Sequence, residues 1–282
     1  MDFSNFIIGI SDYEDGFEVV KNFSPFSIFL TSHFKNKNLN ELREFIRDLK
    51  KFAGYDLKLS TDQEGGYASW VIDGYPSPMK WGQNSLEEFE VSCNKMAKEL
   101  KSIGIDINFA PCVDICYDEE NEVICKKERS FGKNLKIVME YSYRFYKIMK
   151  ENGVECCAKH FVNQARARED PHRDLPVSDS SLKDIARDLL PYKVLIKEGI
   201  SYIMAGYIKY RRISDEPVVF SEYFIKKLLK KKLSFRGKVI TDDLLMGGIK
   251  KFYSLRESIK LSMKAGCDLI LISDFEFLKK AL

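Results

Sequence analysis

The chain has 282 residues, with 45 Lys+Arg against 42 Asp+Glu for a formal net charge of +3, and only three histidines. Such balance excludes a nucleic-acid binder held by a dominant basic face. A content of 45% hydrophobic and 13% aromatic residues excludes a disordered chain.

Phe6-Ile7-Ile8-Gly9-Ile10 predicts a first buried strand, and Ser27-Ile28-Phe29-Leu30 a second. Leu39, Leu42, Phe45, Ile46 and Leu49 recur at helical spacing and place one apolar stripe on a helix. Lys58-Leu59-Ser60-Thr61 is the third strand. The helix after it opens on a Ser85-x-x-Glu88 capping box, is lined by Leu86, Phe89, Met96, Leu100 and Ile103, and stops at Gly104. Residues 105–109 give strand four, 135–149 a helix and 155–158 strand five. The helical stretch over residues 180–197 is interrupted at Pro191, which starts a new helix or kinks the old one. Tyr202-Ile203-Met204 is strand six. Ser221 caps a helix carrying Phe224, Ile225, Leu228 and Leu229, whose Lys230-Lys231-Lys232 end reads as solvated. Lys238-Val239-Ile240 is strand seven, residues 255–265 form a helix, and residues 268–272 form strand eight, leaving room for only a short last helix.

These eight strand-then-helix units have continuous rather than alternating apolar strands, as strands buried on both faces do. The pattern predicts a parallel (β/α)8 TIM barrel of the α/β class, as one domain over residues 1–282. The rival, a doubly wound open sheet, calls for a glycine-rich phosphate loop after strand one, and Ile10-Ser11-Asp12-Tyr13 is not one. The N-terminus lacks a basic region followed by an apolar run, and no stretch approaches the ~18 apolar residues of a membrane span. The seven cysteines lie mostly in apolar runs such as Glu155-Cys156-Cys157-Ala158, unlike an extracellular disulfide framework. Cys112, Cys116 and Cys125 read as single core residues rather than a metal set. The expectation is a soluble cytoplasmic protein with neither membrane nor nucleic-acid partner.

In a TIM barrel, functional groups gather just after strand ends. Strand three runs into Asp62-Gln63-Glu64-Gly65-Gly66, strand four into Ala110-Pro111-Cys112-Val113-Asp114, strand five into Lys159-His160, and strand seven into Thr241-Asp242-Asp243. Acids, a lysine and a histidine on one rim suit a sugar or another polar metabolite; singly, each acid also reads as a helix cap. Asp170 stands two residues before His172, close enough to bond one imidazole nitrogen and fix its tautomer. A loop-stabilising ion pair is the bland alternative.

The ordered set Asp62-Gln63-Glu64-Gly65-Gly66, Phe109-Ala110-Pro111-x-x-Asp114, Arg129-Ser130-Phe131-Gly132, Lys159-His160-Phe161, Asp170-x-His172 and Asp242-Asp243-Leu244-x-Met246 resembles the family 3 glycoside hydrolases. Within that family it is most similar to the single-domain bacterial β-N-acetylglucosaminidases that recycle peptidoglycan sugars. The resemblance implies a retaining β-N-acetylhexosaminidase acting on small glycans such as muropeptide or chitin fragments, with no metal and no cofactor. It makes Asp242 the nucleophile and His172 the general acid/base, with Asp170 as its partner on a mobile loop. It makes Asp62, Arg129, Lys159 and His160 the residues that hold the sugar hydroxyls, and Met246 a further substrate contact.

The chain departs from the family's pattern at four places. Val162-Asn163-Gln164-Ala165 replaces Pro-Gly-His-Gly, which predicts a stiffer or differently shaped loop. Tyr67 and Trp70 stand where arginines are usual, either as aromatic sugar platforms or as packing, and Ala205-Gly206-Tyr207 replaces a histidine motif. Four other readings stay open: a phosphorylase using the same intermediate, a sugar-binding homologue with impaired catalysis, a Schiff-base role for Lys159, and a metal on Asp170, His172 and Asp174. The oligomeric state is not legible.

Overall fold

Eight short apolar runs become parallel strands in the computed structural model, which describes residues 2–281: β1 (Phe6–Ile10), β2 (Ser27–Leu30), β3 (Lys58–Thr61), β4 (Ile107–Asn108), β5 (Glu155–Phe161), β6 (Tyr202–Ala205), β7 (Lys238–Thr241) and β8 (Ile270–Ile272). They follow the order β7-β6-β5-β4-β3-β2-β1-β8. An isolated parallel bridge between Ile240 and Leu269 joins β7 to β8 and closes the ring. Unbroken parallel neighbours and closure rule out the doubly wound sheet and give the expected (β/α)8 barrel. The strands are buried on both faces because a helix covers the outside while side chains fill the inside. Phe29, Ile107, Phe109, Cys157, Met204 and Leu271 belong to the inner cluster.

The outer helices are α1 (Tyr13–Phe23), α2 (Leu39–Ala53), α3 (Leu86–Ile103), α4 (Leu135–Glu151), α5 (Leu189–Lys197), α6 (Leu255–Ala265) and α7 (Phe275–Ala281), with a π-type helical segment at Tyr223–Lys232. The Ser85–Glu88 capping box forms, and Gly104 ends α3 in the left-handed region at φ 97°. Pro191 lies in the first turn of α5, where its missing N–H costs no intrahelical bond, so a new helix starts there after a short one at Leu182–Ile185. None of the helices is long and apolar enough to cross a membrane, among the described residues.

Several local expectations need correction. Leu86 is exposed, because it sits on the outer side of the first turn of α3. Ser221 is not the cap of its helix; Glu222 is, without a side-chain bond, while Ser221 Oγ accepts from Ser214 Oγ. Lys230 is not simply solvated, since its Nζ bonds both carboxylate oxygens of Asp268 at 2.8 Å and ties the helix end to β8. Cys116 and Cys125 are not single core residues but form a disulfide, with Cα atoms 5.5 Å apart across the loop after β4. The other five cysteines are free and buried. Finally, β5 runs on through Phe161, so Lys159 and His160 are strand residues rather than loop residues.

Candidate active site

The chain after β3 doubles back through Gly65 and Gly66, both at positive φ, into a hairpin with Ala68–Ser69. A side chain at Gly65 would place Cβ 2.2 Å from the Pro76 carbonyl oxygen, so this approach requires glycine. The turn buries Glu64 to 1% exposure beneath Asp62. Arg129, from the loop before α4, donates to both Glu64 oxygens, Nη2 to Oε1 at 2.7 Å and Nε to Oε2 at 3.0 Å. Lys159, itself 1% exposed, reaches Glu64 Oε1 with its Nζ at 2.7 Å and also pairs with Asp62. Two acids and two bases therefore share one buried cluster.

Burial would raise the Glu64 carboxyl, but the charges of Arg129 and Lys159 outweigh it and hold the group at about 2. Burial would lower both cations, yet the facing carboxylates raise them above their ordinary values. For Asp62 burial wins over the attraction of Lys159, and its carboxyl is raised.

His160 follows Lys159 on β5, and its Nδ1 lies 2.8 Å from Asp114 Oδ2. A carboxylate can only accept, so this bond places the proton on Nδ1 and leaves Nε2 free to accept, with Arg129 Nη2 at 3.5 Å. Asp114 also takes the backbone N–H groups of His160 and Gln164, tying the end of β5 to the loop after β4. Cys112, Asp114 and His160 offer ligand atoms within 4.8 Å of one another. Asp114 is already engaged by three N–H groups, and the adjacent Arg129 disfavours a second cation.

At the end of β7, Asp242 donates its N–H to Ala205 O at 3.1 Å, and the Tyr207 hydroxyl bonds the Asp242 carbonyl at 2.9 Å, so the nucleophile candidate is braced through its backbone. Next to it, Asp243 accepts from Ser273 Oγ at 2.5 Å and from the Leu245 and Ser273 N–H groups. Burial raises the Asp243 carboxyl against these bonds.

His172 is carried by the loop after β5. Its Nδ1 lies 2.7 Å from Asp170 Oδ1, which also accepts the His172 N–H at 2.9 Å. Burial would raise the Asp170 carboxyl, but these bonds from His172 lower it. The loop rests on the turn after β7: Gly248 N–H donates to Pro171 O at 2.9 Å. Cβ atoms at Gly247 and Gly248 would sit 2.2 Å from His172 O and 2.4 Å from Asp174 O. This glycine pair is what lets the His172 loop lie against the strand that carries Asp242.

One cavity of about 520 Å³ opens at this end of the barrel. Asp62, Arg129, Lys159, His160, His172, Asp242 and Met246 all line it, with Asp170 standing behind His172. Asp174 points elsewhere, to Lys251 at 3.5 Å. Trp70 and Tyr67 both line the cavity, Trp70 with its ring 5.3 Å from Phe29 and Tyr67 at the mouth, 60% exposed beneath Lys127. The altered loop keeps a glycine-like backbone at Asn163, which adopts φ 61° and caps the turn Gln164–Arg166.

Sequence reasoning assigned no role to Glu64, Asp114 or Asp243, although all three lie inside the strand-end motifs. Their burial beside cations or backbone N–H groups is a tertiary fact that spacing does not carry. The Gly247-Gly248 pair was a visible signal left unread.

A family model described as the glycosyl hydrolase family 3 N-terminal domain matches residues 11–281. A β-hexosaminidase from Idiomarina loihiensis is 31% identical over 256 residues, covering 87% of this chain and 75% of its own. A β-N-acetylglucosaminidase structure from Paenibacillus sp. superposes with a TM-score of 0.92 at 26% identity, covering 99% of this chain, which spans only 55% of that longer protein. The NagZ structure from Neisseria gonorrhoeae in complex with N-trifluoroacetyl-D-glucosamine gives 0.84 at 25% identity, covering 99% of this chain and 84% of its own.

Proposed function

The chain belongs to glycosyl hydrolase family 3, and we propose that it is a retaining β-N-acetylhexosaminidase releasing terminal β-linked GlcNAc from small glycans, with the whole chain as one catalytic barrel domain. The observation that carries this reading is the convergence on one cavity of Asp242, the Asp170-backed His172 and a buried set of hydroxyl-binding charges. Asp62, Arg129, Lys159 and His160 grip the sugar hydroxyls remote from the reacting carbon through charge-assisted bonds. The Asp242 carboxylate attacks C1 as the bond from C1 to the leaving oxygen breaks, and His172 Nε2–H gives that oxygen its proton. Asp170 stabilises the imidazolium before transfer and fixes Nδ1 as the protonated nitrogen afterwards. Water then loses a proton to His172, attacks C1 and frees Asp242, so two inversions retain the β configuration. The His172 side chain is 58% exposed, which gives water access for the second step.

The test is Asp242→Ala. It should lower kcat on a nitrophenyl β-GlcNAc glycoside by at least ~10³ while product still binds. Turnover at the wild-type rate in that variant refutes the mechanism.

A further inference from the structure

Gln164 is 2% exposed, yet it lines the cavity. Its side-chain oxygen is anchored, accepting from the Tyr207 N–H at 3.3 Å, and its backbone N–H is anchored on Asp114 at 3.1 Å. With Oε1 turned to the backbone, Nε2 has no protein acceptor within hydrogen-bond reach among the described residues. Two amide N–H donors thus remain without a protein partner on the cavity wall, held in place through Oε1 and open to an acceptor on a bound ligand. Gly206 makes room for this side chain: a Cβ there would sit 2.8 Å from Gln164 Oε1.

The position of Gln164 in the ring of strands says which ligand atom it meets. β5, β6 and β7 are consecutive neighbours in the barrel. Lys159 and His160 stand at the end of β5, Gly206 just past β6, and Asp242 just past β7. Gln164 packs on Gly206, between the residues that hold the remote hydroxyls and the carboxylate that attacks C1. On a pyranose, C2 is the carbon between those two regions.

We infer that the Gln164 amide donates to the carbonyl oxygen of the 2-acetamido group and is the residue that selects 2-acetamido over 2-hydroxy sugars. This assignment rests on the proposed hexosaminidase reading and deepens it. The test uses Gln164→Met, which keeps length and removes both donors, and Gln164→Asn, which keeps the amide but withdraws it by one methylene. Both are compared with wild type by kcat/KM on nitrophenyl β-GlcNAc and β-glucoside, and by calorimetric binding of GlcNAc and glucose.

Wild type should prefer the acetamido sugar in both assays. Each variant should reduce that preference roughly tenfold or more, since a site built around a hydrogen bond loses discrimination with it. A general loosening of the loop would instead lower both donors equally and leave the ratio intact. An unchanged ratio in the variants overturns the inference while wild-type GlcNAc turnover leaves the hexosaminidase reading standing. A wild type that favours glucose overturns both.

Discussion

Replacing Glu64 by glutamine keeps the side-chain shape and removes one of the two negative charges that balance Arg129 and Lys159. The carboxyl is held at about 2 against an ordinary 4.5. At ~1.4 kcal/mol per pKa unit, that difference corresponds to about 3 kcal/mol of folding stability. Unfolding entropy of roughly 2.1 cal/mol/K per residue gives ~0.6 kcal/mol/K for a chain of this length, so Tm should fall by about 5 °C. The sign follows from the direction of the shift. A carboxyl depressed in the folded state contributes fully above its unfolded value and loses that contribution as pH falls through its folded one. The gap between wild type and Glu64→Gln should therefore be full at neutral pH and narrow from about pH 4.5 down toward 2. Scanning calorimetry at several pH values reads both quantities. A variant that melts within about 1 °C of wild type at neutral pH, or a gap that widens on acidification, refutes the reasoning.

Three further outcomes follow from the same geometry. His172→Ala should cut kcat/KM ~10²–10⁴-fold on an alkyl β-GlcNAc glycoside but far less on a dinitrophenyl one, whose phenolate leaves without a proton; equal losses would remove His172 as the acid. Gly247→Ala brings a Cβ against the His172 carbonyl, displaces the loop and should lower kcat/KM by at least roughly tenfold, and retained activity would show that the loop position does not matter. The carboxyl of Asp62 is raised by burial, so hydroxyl binding should weaken, and KM rise, as pH falls through a value above the ordinary 3.8. Asp62→Asn should erase that acid limb. It should also cost less stability than Glu64→Gln, because a raised carboxyl destabilises the folded state at neutral pH; the reverse order of melting temperatures would contradict the assignment.

The fold was legible because barrel strands buried on both faces write themselves as short continuous apolar runs, and Phe6–Ile10 or Lys238–Thr241 can hardly be read otherwise. Boundaries drifted where polar residues enter a strand. Lys159 and His160 belong to β5, but their side chains are paired inside the barrel rather than solvated, so polarity suggested a loop. Asp62, Lys159, His160 and Asp242 were legible because each sits at or next to a strand end, whereas Arg129 and His172, carried by long loops, were legible only through the motifs around them. Their partners were not. Glu64 looks like part of a turn until Arg129, 65 residues later, closes on it, and Asp114 gains its meaning only when His160 arrives 46 residues on. The loop after β5 was legible only in part. Asn163 adopts the left-handed conformation without being glycine, and the glycines against which the His172 segment packs lie after β7, far from it in sequence.

The cavity divides into two chemical halves, and this division limits what it can hold. Asp62, Glu64, Arg129 and Lys159 balance to zero net charge, so one half presents strong hydrogen-bonding groups without a field that favours an ion. The other half is the apolar end of the barrel interior, where Phe29, Trp70, Met204 and Leu271 meet the same cavity. A pyranose has polar edges and C–H faces, and it satisfies both halves at once. A phosphorylated metabolite would leave the apolar half unused and meet a buried cluster whose two cations are both paired, with Lys127 available only at the mouth, whereas a flat hydrocarbon would strand the buried charges. Trp70, braced on Phe29, adds apolar area to that wall, suited on the proposed reading to contact with the sugar's C–H surface. On the proposed reading, then, the apolar wall with Trp70 bears on which sugar is held, while Asp242, His172 and Asp170 bear on how its bond is broken.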